Sequence, residues 1–228
     1  MKNNKKNIFV GILVIFLYLI YGDLFKMIIS TLGIRINKMP TYLSTIINII
    51  YELSLLIIII LIYKNDIITK FKDYKKNWKD YIDKYFKYFV ISLILMIISN
   101  LVITFITNIK TSTNQEYIVE TLKKFPIYTF FITVFIAPIL EELVFRLSFR
   151  KIFKTDILFI FFSGLVFGAL HLATATTMQE LLYIIPYSIP GFIFAYTLKK
   201  SDNIFVPISL HFIHNSLLMA VQIILMII

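Results

Sequence analysis

The segment IYTFFITVFIAPILEELVFRLSF, residues 127–149, combines an apolar run of membrane-spanning length with two adjacent glutamates and an arginine. About 20 apolar residues cross a bilayer as one helix, because each residue of an α-helix rises about 1.5 Å. Six further apolar runs lie at about residues 8–29, 42–63, 88–109, 157–173, 181–198 and 204–228. We therefore predict an all-α, polytopic membrane bundle of about seven transmembrane helices.

The composition excludes a water-soluble globular protein. Hydrophobic residues make up 59% of the 228 residues and charged residues 16%, whereas soluble domains have about 45–50% and about 25%. The net charge of +10 has its explanation in lysines that flank membrane helices, so we expect no nucleic-acid partner. The chain contains no cysteine, which excludes disulfides, thiolate metal ligands and a cysteine nucleophile.

The basic residues indicate the orientation of the spans. Three precede the first run, eight lie in residues 64–87, four in 146–154 and two at 199–200, while six lie in the alternate segments. Basic residues favour the cytoplasmic side, so we predict a cytoplasmic N-terminus and an extracytoplasmic C-terminus. Richness in isoleucine, lysine and asparagine is typical of AT-rich bacterial genomes, which suggests a bacterial plasma membrane.

Residues 64–87 form a separate feature. Aromatic residues at positions 71, 74, 78, 81 and 85 follow helical spacing among eight lysines and four aspartates. This pattern predicts an amphipathic helix in the cytoplasmic interface of the membrane, where its aromatic face would contact anionic lipids.

Placing an ionisable side chain inside a bilayer costs free energy. Each such residue within an apolar run is therefore a candidate functional residue. The apolar runs contain Glu52, Glu141, Glu142, Arg146, His171, His211 and His214, with Asn215 next to the last histidine. Estimated depths along the helices overlap, so these groups can share one polar pocket within the membrane.

Local spacing indicates which of these side chains act together. His211 and Asn215 are four residues apart and share a helix face, as do Glu142 and Arg146, which suit an ion pair. Glu141 then points about 100° away from Glu142 and is free for another partner.

Two further features concern the backbone. Pro138 precedes the glutamate pair, so it should loosen that helix and free a carbonyl near the site. Gly164 and Gly168 should let the fifth helix pack closely against a neighbour.

Two chemistries fit these residues. Glu141 and His171 can hold and deprotonate a water, while His211 and Asn215 donate to a developing oxyanion. Alternatively, His171, His211 and Glu141 can ligate Zn²⁺ and leave an open position. The sequence establishes no cofactor and leaves dependence on Zn²⁺ open.

Three motifs carry a family resemblance. Glu141-Glu142-x-x-x-Arg146, Phe167-x-x-x-His171 and His211-x-x-x-Asn215 occur in this order on successive apolar runs. Together they resemble the CAAX protease and bacteriocin-processing family, also called Abi, which includes the type II CAAX prenyl endopeptidases. The resemblance covers about residues 125–220.

The resemblance implies an α-helical intramembrane endopeptidase whose cavity opens to the cytoplasm or the inner leaflet. It implies that Glu141 and His171 activate water, that His211 and Asn215 form the oxyanion hole, and that two further residues support them: Glu142 and Arg146. Residues 125–228 would be the catalytic core and residues 1–124 the N-terminal helices of one integrated membrane domain. The partners would be membrane lipids and a small membrane-associated peptide or protein substrate.

Two other classes of function remain open from the sequence. A bacteriocin self-immunity or regulatory membrane protein would act by binding a partner and would tolerate Glu141→Ala. A transporter would use the carboxylates and histidines as a proton relay, but the sequence shows no inverted repeat. His214 and Glu52 stand outside the predicted site, and His214 is expected to be structural.

Overall fold

The computed structural model describes residues 5–227, and of Asn37 only the backbone. Within these residues the chain consists of helices joined by turns and short loops and has no strand. The helices are α1 Lys5–Thr31, α2 Thr41–Ile62, α3 Lys64–Thr107, α4 Thr113–Lys124, α5 Pro126–Ile152, α6 Asp156–Leu170, α7 Gln179–Ser201 and α8 Phe205–Ile227. The predicted all-α membrane bundle is confirmed. Lys2 and Ile228, which belong to the basic-residue count and to the last predicted run, lie outside the described residues.

Six helices of the described part are long and apolar enough to cross a membrane, namely α1, α2, α3, α5, α7 and α8. The fifth predicted run forms only the 15-residue helix α6, which ends at Leu170 and is followed by turns. At about 1.5 Å per residue this helix is too short to span a bilayer alone. Residues 5–227 therefore contain six helices of full spanning length and one shorter apolar helix.

Polar contacts define the two ends of the bundle. One end, called here the lysine-rich end, carries the ion pairs Lys151–Asp66 at 2.8 Å, Lys70–Asp202 at 2.7 Å and Lys199–Asp156 at 3.4 Å. The other, called the far end, carries the hydrogen bonds Thr113–Glu180 at 2.8 Å and Tyr183–Ile109 at 3.0 Å. Because Asp156 and Glu180 lie at opposite ends, α6 and the turns after it together make one passage through the bundle.

The aromatic segment 64–87 is helical, as predicted, and does not end before the third span. Lys64–Thr107 is one continuous helical stretch, α3, in which a kink with non-helical backbone angles at Asn77 separates two helical segments. Tyr74 hydrogen-bonds to Ser209 of α8 at 2.5 Å, and Tyr85 is buried against α7 and α8. Much of the predicted lipid-facing surface therefore contacts neighbouring helices, because these tyrosines find packing and hydrogen-bond partners there.

Helices α6 and α7 approach closely at their glycines, as the sequence predicts. A Cβ atom at Gly164 would lie 2.7 Å from the backbone nitrogen of Phe192, and one at Gly191 would lie 2.8 Å from the carbonyl oxygen of Gly164. Small residues allow such backbone contacts between membrane helices. The close contact fixes α6, and with it His171, against α7.

One buried cluster joins the N-terminal helices to α5. It includes Val14 of α1 and Leu55 of α2 together with Leu143 and Phe145 of α5. The hydroxyls of Tyr63, which follows α2, and Ser148 of α5 are 2.7 Å apart. Helix α5 is thus held against the N-terminal helices, which helps to position its glutamates.

Candidate active site

Helix α5 departs from α-helical geometry on both sides of Pro138. Residues Ile132–Ile136 and Glu142–Ser148 are π-helical, and the N–H of Ala137 donates to the carbonyl of Ile132, five residues back. In this pattern the next donor to the carbonyl of Thr133 would be Pro138, which has no N–H. The Thr133 carbonyl instead accepts from Nδ2 of Asn215 at 2.8 Å. The predicted freeing of a carbonyl by Pro138 is confirmed, and the freed group holds a candidate catalytic side chain.

Glu142 is fully buried and joins the second and third motifs. Its Oε1 lies 2.9 Å from Nδ1 of His211, and its Oε2 lies 3.1 Å from Nε of Arg146. An ion-paired carboxylate only accepts hydrogen bonds, so Nδ1 of His211 carries a proton. This contact turns the Nε2 edge of His211 toward Glu141, whose Oε2 lies 3.6 Å away.

Arg146 stabilises this arrangement from a fully buried position. Its guanidinium carbon lies 4.2 Å from the ring centroid of Phe167 and 5.8 Å from that of Phe194. None of its three side-chain nitrogens has a hydrogen bond of good geometry within residues 5–227, although the ion pair with Glu142 is short. Among the described residues, the ion pair with Glu142 and the cation–π contacts with Phe167 and Phe194 are therefore the interactions that stabilise the guanidinium.

His171 directly follows α6 and presents one nitrogen to the site. Its Nδ1 lies 2.9 Å from the carbonyl oxygen of Phe167. A carbonyl can only accept, so Nδ1 donates and Nε2 of the neutral ring is free to accept a proton. The ring stacks on Tyr187 of α7 with centroids 4.7 Å apart, which fixes its orientation.

A cavity of about 250 Å³ gathers four of the six predicted residues. Glu141, His171, His211 and Asn215 all line its wall. Glu142 and Arg146 do not line it but lie behind His211, which agrees with a supporting role. The structure thus divides the predicted set into side chains that a ligand can touch and side chains that position them.

Three cavity-lining residues differ from the sequence prediction or were not singled out by it. His214, expected to be structural, is 5% exposed and lines the same cavity, and its Nδ1 has no hydrogen-bond partner in the described chain. Thr133 and Tyr187 also line the cavity, yet neither carries a charge or motif position that would have marked it. Glu52, on α2, does not line this cavity.

The proposed zinc ligands do not assemble into a metal site. Among the described residues, no three His, Asp or Glu side chains are placed to hold a metal ion together. As placed here, Glu141, His171 and His211 therefore do not form a zinc ligand set.

Comparisons with known proteins agree with the motifs. Residues 123–217 match the family model described as "Type II CAAX prenyl endopeptidase Rce1-like". The chain is 28% identical over 116 residues to the "Putative membrane peptidase YdiL" of Bacillus subtilis (strain 168), an alignment that covers 50% of this chain and 44% of that protein.

A second relative is an "Uncharacterized protein" of Mycoplasma capricolum subsp. capricolum, 30% identical over 202 residues, or 83% of this chain and 59% of that protein. The chain therefore spans about half the length of the curated relatives it matches. No solved structure matches it. The matched segment contains all six predicted site residues, and residues 123–217 of this chain are similar to the Rce1-like type II CAAX prenyl endopeptidases.

Proposed function

We propose that this chain is an intramembrane endopeptidase that hydrolyses a peptide bond in a small membrane-associated peptide or protein. The observation that carries the proposal is one cavity lined by Glu141, His171, His211 and Asn215, which come from α5, from α8 and from the turn directly after α6. The family match supports the same class of activity.

Glu141 and His171 activate the attacking water. Nε2 of His171 accepts one hydrogen bond from the water, and the Glu141 carboxylate accepts the other. Glu141 removes a proton as the water oxygen bonds to the carbonyl carbon of the substrate. Both groups are half-buried and line the same cavity, so a water can reach them there.

His211 and Asn215 stabilise the oxyanion that forms on the carbonyl oxygen. The amide of Asn215 has two N–H donors, and only one is used by Thr133, so the other is available. His211 donates from Nε2 when its ring is an imidazolium. The carboxylates on its two sides, at 2.9 and 3.6 Å, balance that charge.

Collapse of the tetrahedral intermediate completes the reaction. The carbon–nitrogen bond breaks, and the proton held by Glu141 passes to the departing amine. One water is consumed for each new carboxylate and amine, and Glu141 returns to its ionised form. Glu142 and Arg146 contact no reacting atom and act by orienting His211.

Comparative peptidomics of membranes tests this proposal. Cells carrying the wild-type chain or Glu141→Ala at equal expression are compared, with Glu116→Ala as a control on the exposed face of α4. We expect a peptide that is processed by the wild type and the control but not by Glu141→Ala. Identical profiles, with any immunity phenotype kept by Glu141→Ala, would favour a partner-binding protein instead.

A further inference from the structure

We infer that the catalytic cavity opens at the far end of the bundle, so that this protease takes extended peptide segments from the extracytoplasmic side of the membrane. The inference rests on the proposed function for the chemistry, but the position of the opening rests on the structure alone.

The walls of the cavity lead away from the lysine-rich end. Beyond the catalytic groups the lining includes Asn114, Gln115 and Ile118 of α4, and Gln222 of α8. Helix α4 follows directly on the Thr113–Glu180 contact that marks the far end. Gln222 lies eleven residues after His211, or roughly 16 Å farther along α8 from its start at the lysine-rich end.

The opposite side of the site is closed. All residues of the π-helical turn Glu142–Ser148 are buried, and Glu142, Arg146 and Ser148 are fully so. The guanidinium of Arg146 fills the space between the rings of Phe167 and Phe194. This layer separates the catalytic groups from the lysine-rich end, and no residue of the ion pairs there lines the cavity.

A second cavity extends the first one outward. Its volume is about 280 Å³, and it shares Met96, Gln115, Tyr187, Leu218 and Gln222 with the catalytic cavity. It adds Asn100 and Lys110, and Lys110 lies just after α3 at the far end. The shared walls connect the catalytic groups to the surface at that end.

The lining suits a peptide in an extended conformation. Besides Asn215, four carboxamides lie along the connected cavities: Asn100, Asn114, Gln115 and Gln222. Each carboxamide has donors and acceptors, which can pair with the N–H and C=O groups of an extended backbone. Apolar residues between them, such as Met96 and Leu218, offer contacts for uncharged side chains of the substrate.

The distribution of charge assigns this opening to a side of the membrane. Residues 64–87 alone carry eight of the 23 basic residues, and they lie toward the lysine-rich end. Lysine and arginine concentrate on the cytoplasmic side, so the far end faces outward. This differs from the cytoplasmic or inner-leaflet opening implied by the family resemblance.

The absence of cysteine makes a direct test simple. Single cysteines replace Lys110 and Gln222 at the proposed opening, and Asp80 on the exposed surface of α3 toward the other end. Intact or permeabilised cells are treated with a membrane-impermeant maleimide. Each variant is then purified, and the fraction of its cysteine that is labelled is measured. We expect Lys110→Cys and Gln222→Cys to react in intact cells and Asp80→Cys to react only after permeabilisation. The reverse pattern, or reaction of all three only after permeabilisation, would overturn the inference.

The same cells test whether the opening is the substrate route. After external labelling, Gln222→Cys should lose most of its processing of the peptide identified above, relative to the same cells before labelling. Asp80→Cys should lose none. Undiminished processing by fully labelled Gln222→Cys would refute this route. Failure of the protease proposal would appear separately, as equal processing by the wild type and Glu141→Ala, and would leave the labelling pattern readable.

Discussion

At the scale of single residues, the adjacent glutamates Glu141 and Glu142 occupy contrasting environments. Consecutive helical side chains point about 100° apart, so one glutamate can line a cavity while the next points into the core. Glu141 is 19% exposed and lines the cavity, whereas Glu142 has no exposed surface. His211 lies between them and contacts both. The orientation of the His211 ring therefore depends on Glu142. Its Nε2 edge, which faces Glu141 and the cavity, is the part that we expect to act in catalysis.

Substitutions in the Glu142–Arg146 ion pair can separate its role in orienting His211 from its contribution to the stability of the protein. Glu142→Gln leaves the Arg146 charge buried and unpaired, which should destabilise the protein by about 3–5 kcal/mol. Replacing both residues by apolar ones of similar size, as in Glu142→Leu with Arg146→Met, should restore most of the thermal stability measured in detergent. Peptide processing should stay low in the double variant, because His211 has lost its partner. Full processing by a stable double variant would show that the pair is only structural.

At the scale of elements, the irregular geometry of α5 is what links the first motif to the third. Pro138→Ala supplies an N–H that competes with Asn215 for the carbonyl of Thr133. We expect processing to fall by about tenfold to a hundredfold, because small displacements of a catalytic group carry such costs. Thermal stability should be kept. Pro126→Ala, at the first turn of the same helix where no N–H is needed, is the control. Equal activity of both variants would contradict this role for Pro138.

A second prediction at the scale of elements concerns the close contact between α6 and α7. Gly164→Ala places a methyl group against the backbone of α7 and should destabilise the protein by about 1–3 kcal/mol. Gly22→Ala is the matched control, because its Cβ would lie at an ordinary 3.6 Å from the Tyr51 hydroxyl. Thermal unfolding of the two variants in the same detergent gives the comparison. A Gly164→Ala protein as stable as Gly22→Ala would mean that the helices separate without cost.

The same elements show how far a sequence predicts such a site. Apolar length located the helices, and helical spacing correctly paired Glu142 with Arg146, because both depend on local geometry. The position of His214 on the cavity wall, the burial of Tyr85 and the contact of Tyr74 with Ser209 depend on how helices rotate against each other. The residue periodicity of a single helix gives no information about that rotation. The short length of α6 could not be predicted either, because its apolar run continues past Leu170, where the helix ends.

At the scale of the whole molecule, the N-terminal helices are part of the structure that holds the site. In lipid, apolar burial contributes little to helix association, so polar contacts and close packing matter more. The contacts Tyr63–Ser148 and Asp66–Lys151 both join residues 1–124 to residues 125–228.

We therefore expect residues 125–228 expressed alone to show no peptide processing. Co-expression of residues 1–124 as a separate chain should restore it, because the polar contacts form again between the two chains. Peptidomics of both strains gives the readout, with membrane levels of each segment measured by immunoblotting. Full processing by residues 125–228 alone would contradict this dependence.

The most direct test of the central claim is hydrolysis by the purified chain in water enriched in oxygen-18. The substrate is the peptide that accumulates in cells carrying Glu141→Ala, and the enzymes are the wild type and the near-isosteric Glu141→Gln in liposomes. We predict cleavage by the wild type with one heavy oxygen in each new carboxylate. Glu141→Gln should be slower by about a hundredfold or more, the range expected for loss of a general base. Equal cleavage by both proteins, or none by a folded wild type, would contradict the assignment of Glu141 as the group that activates water.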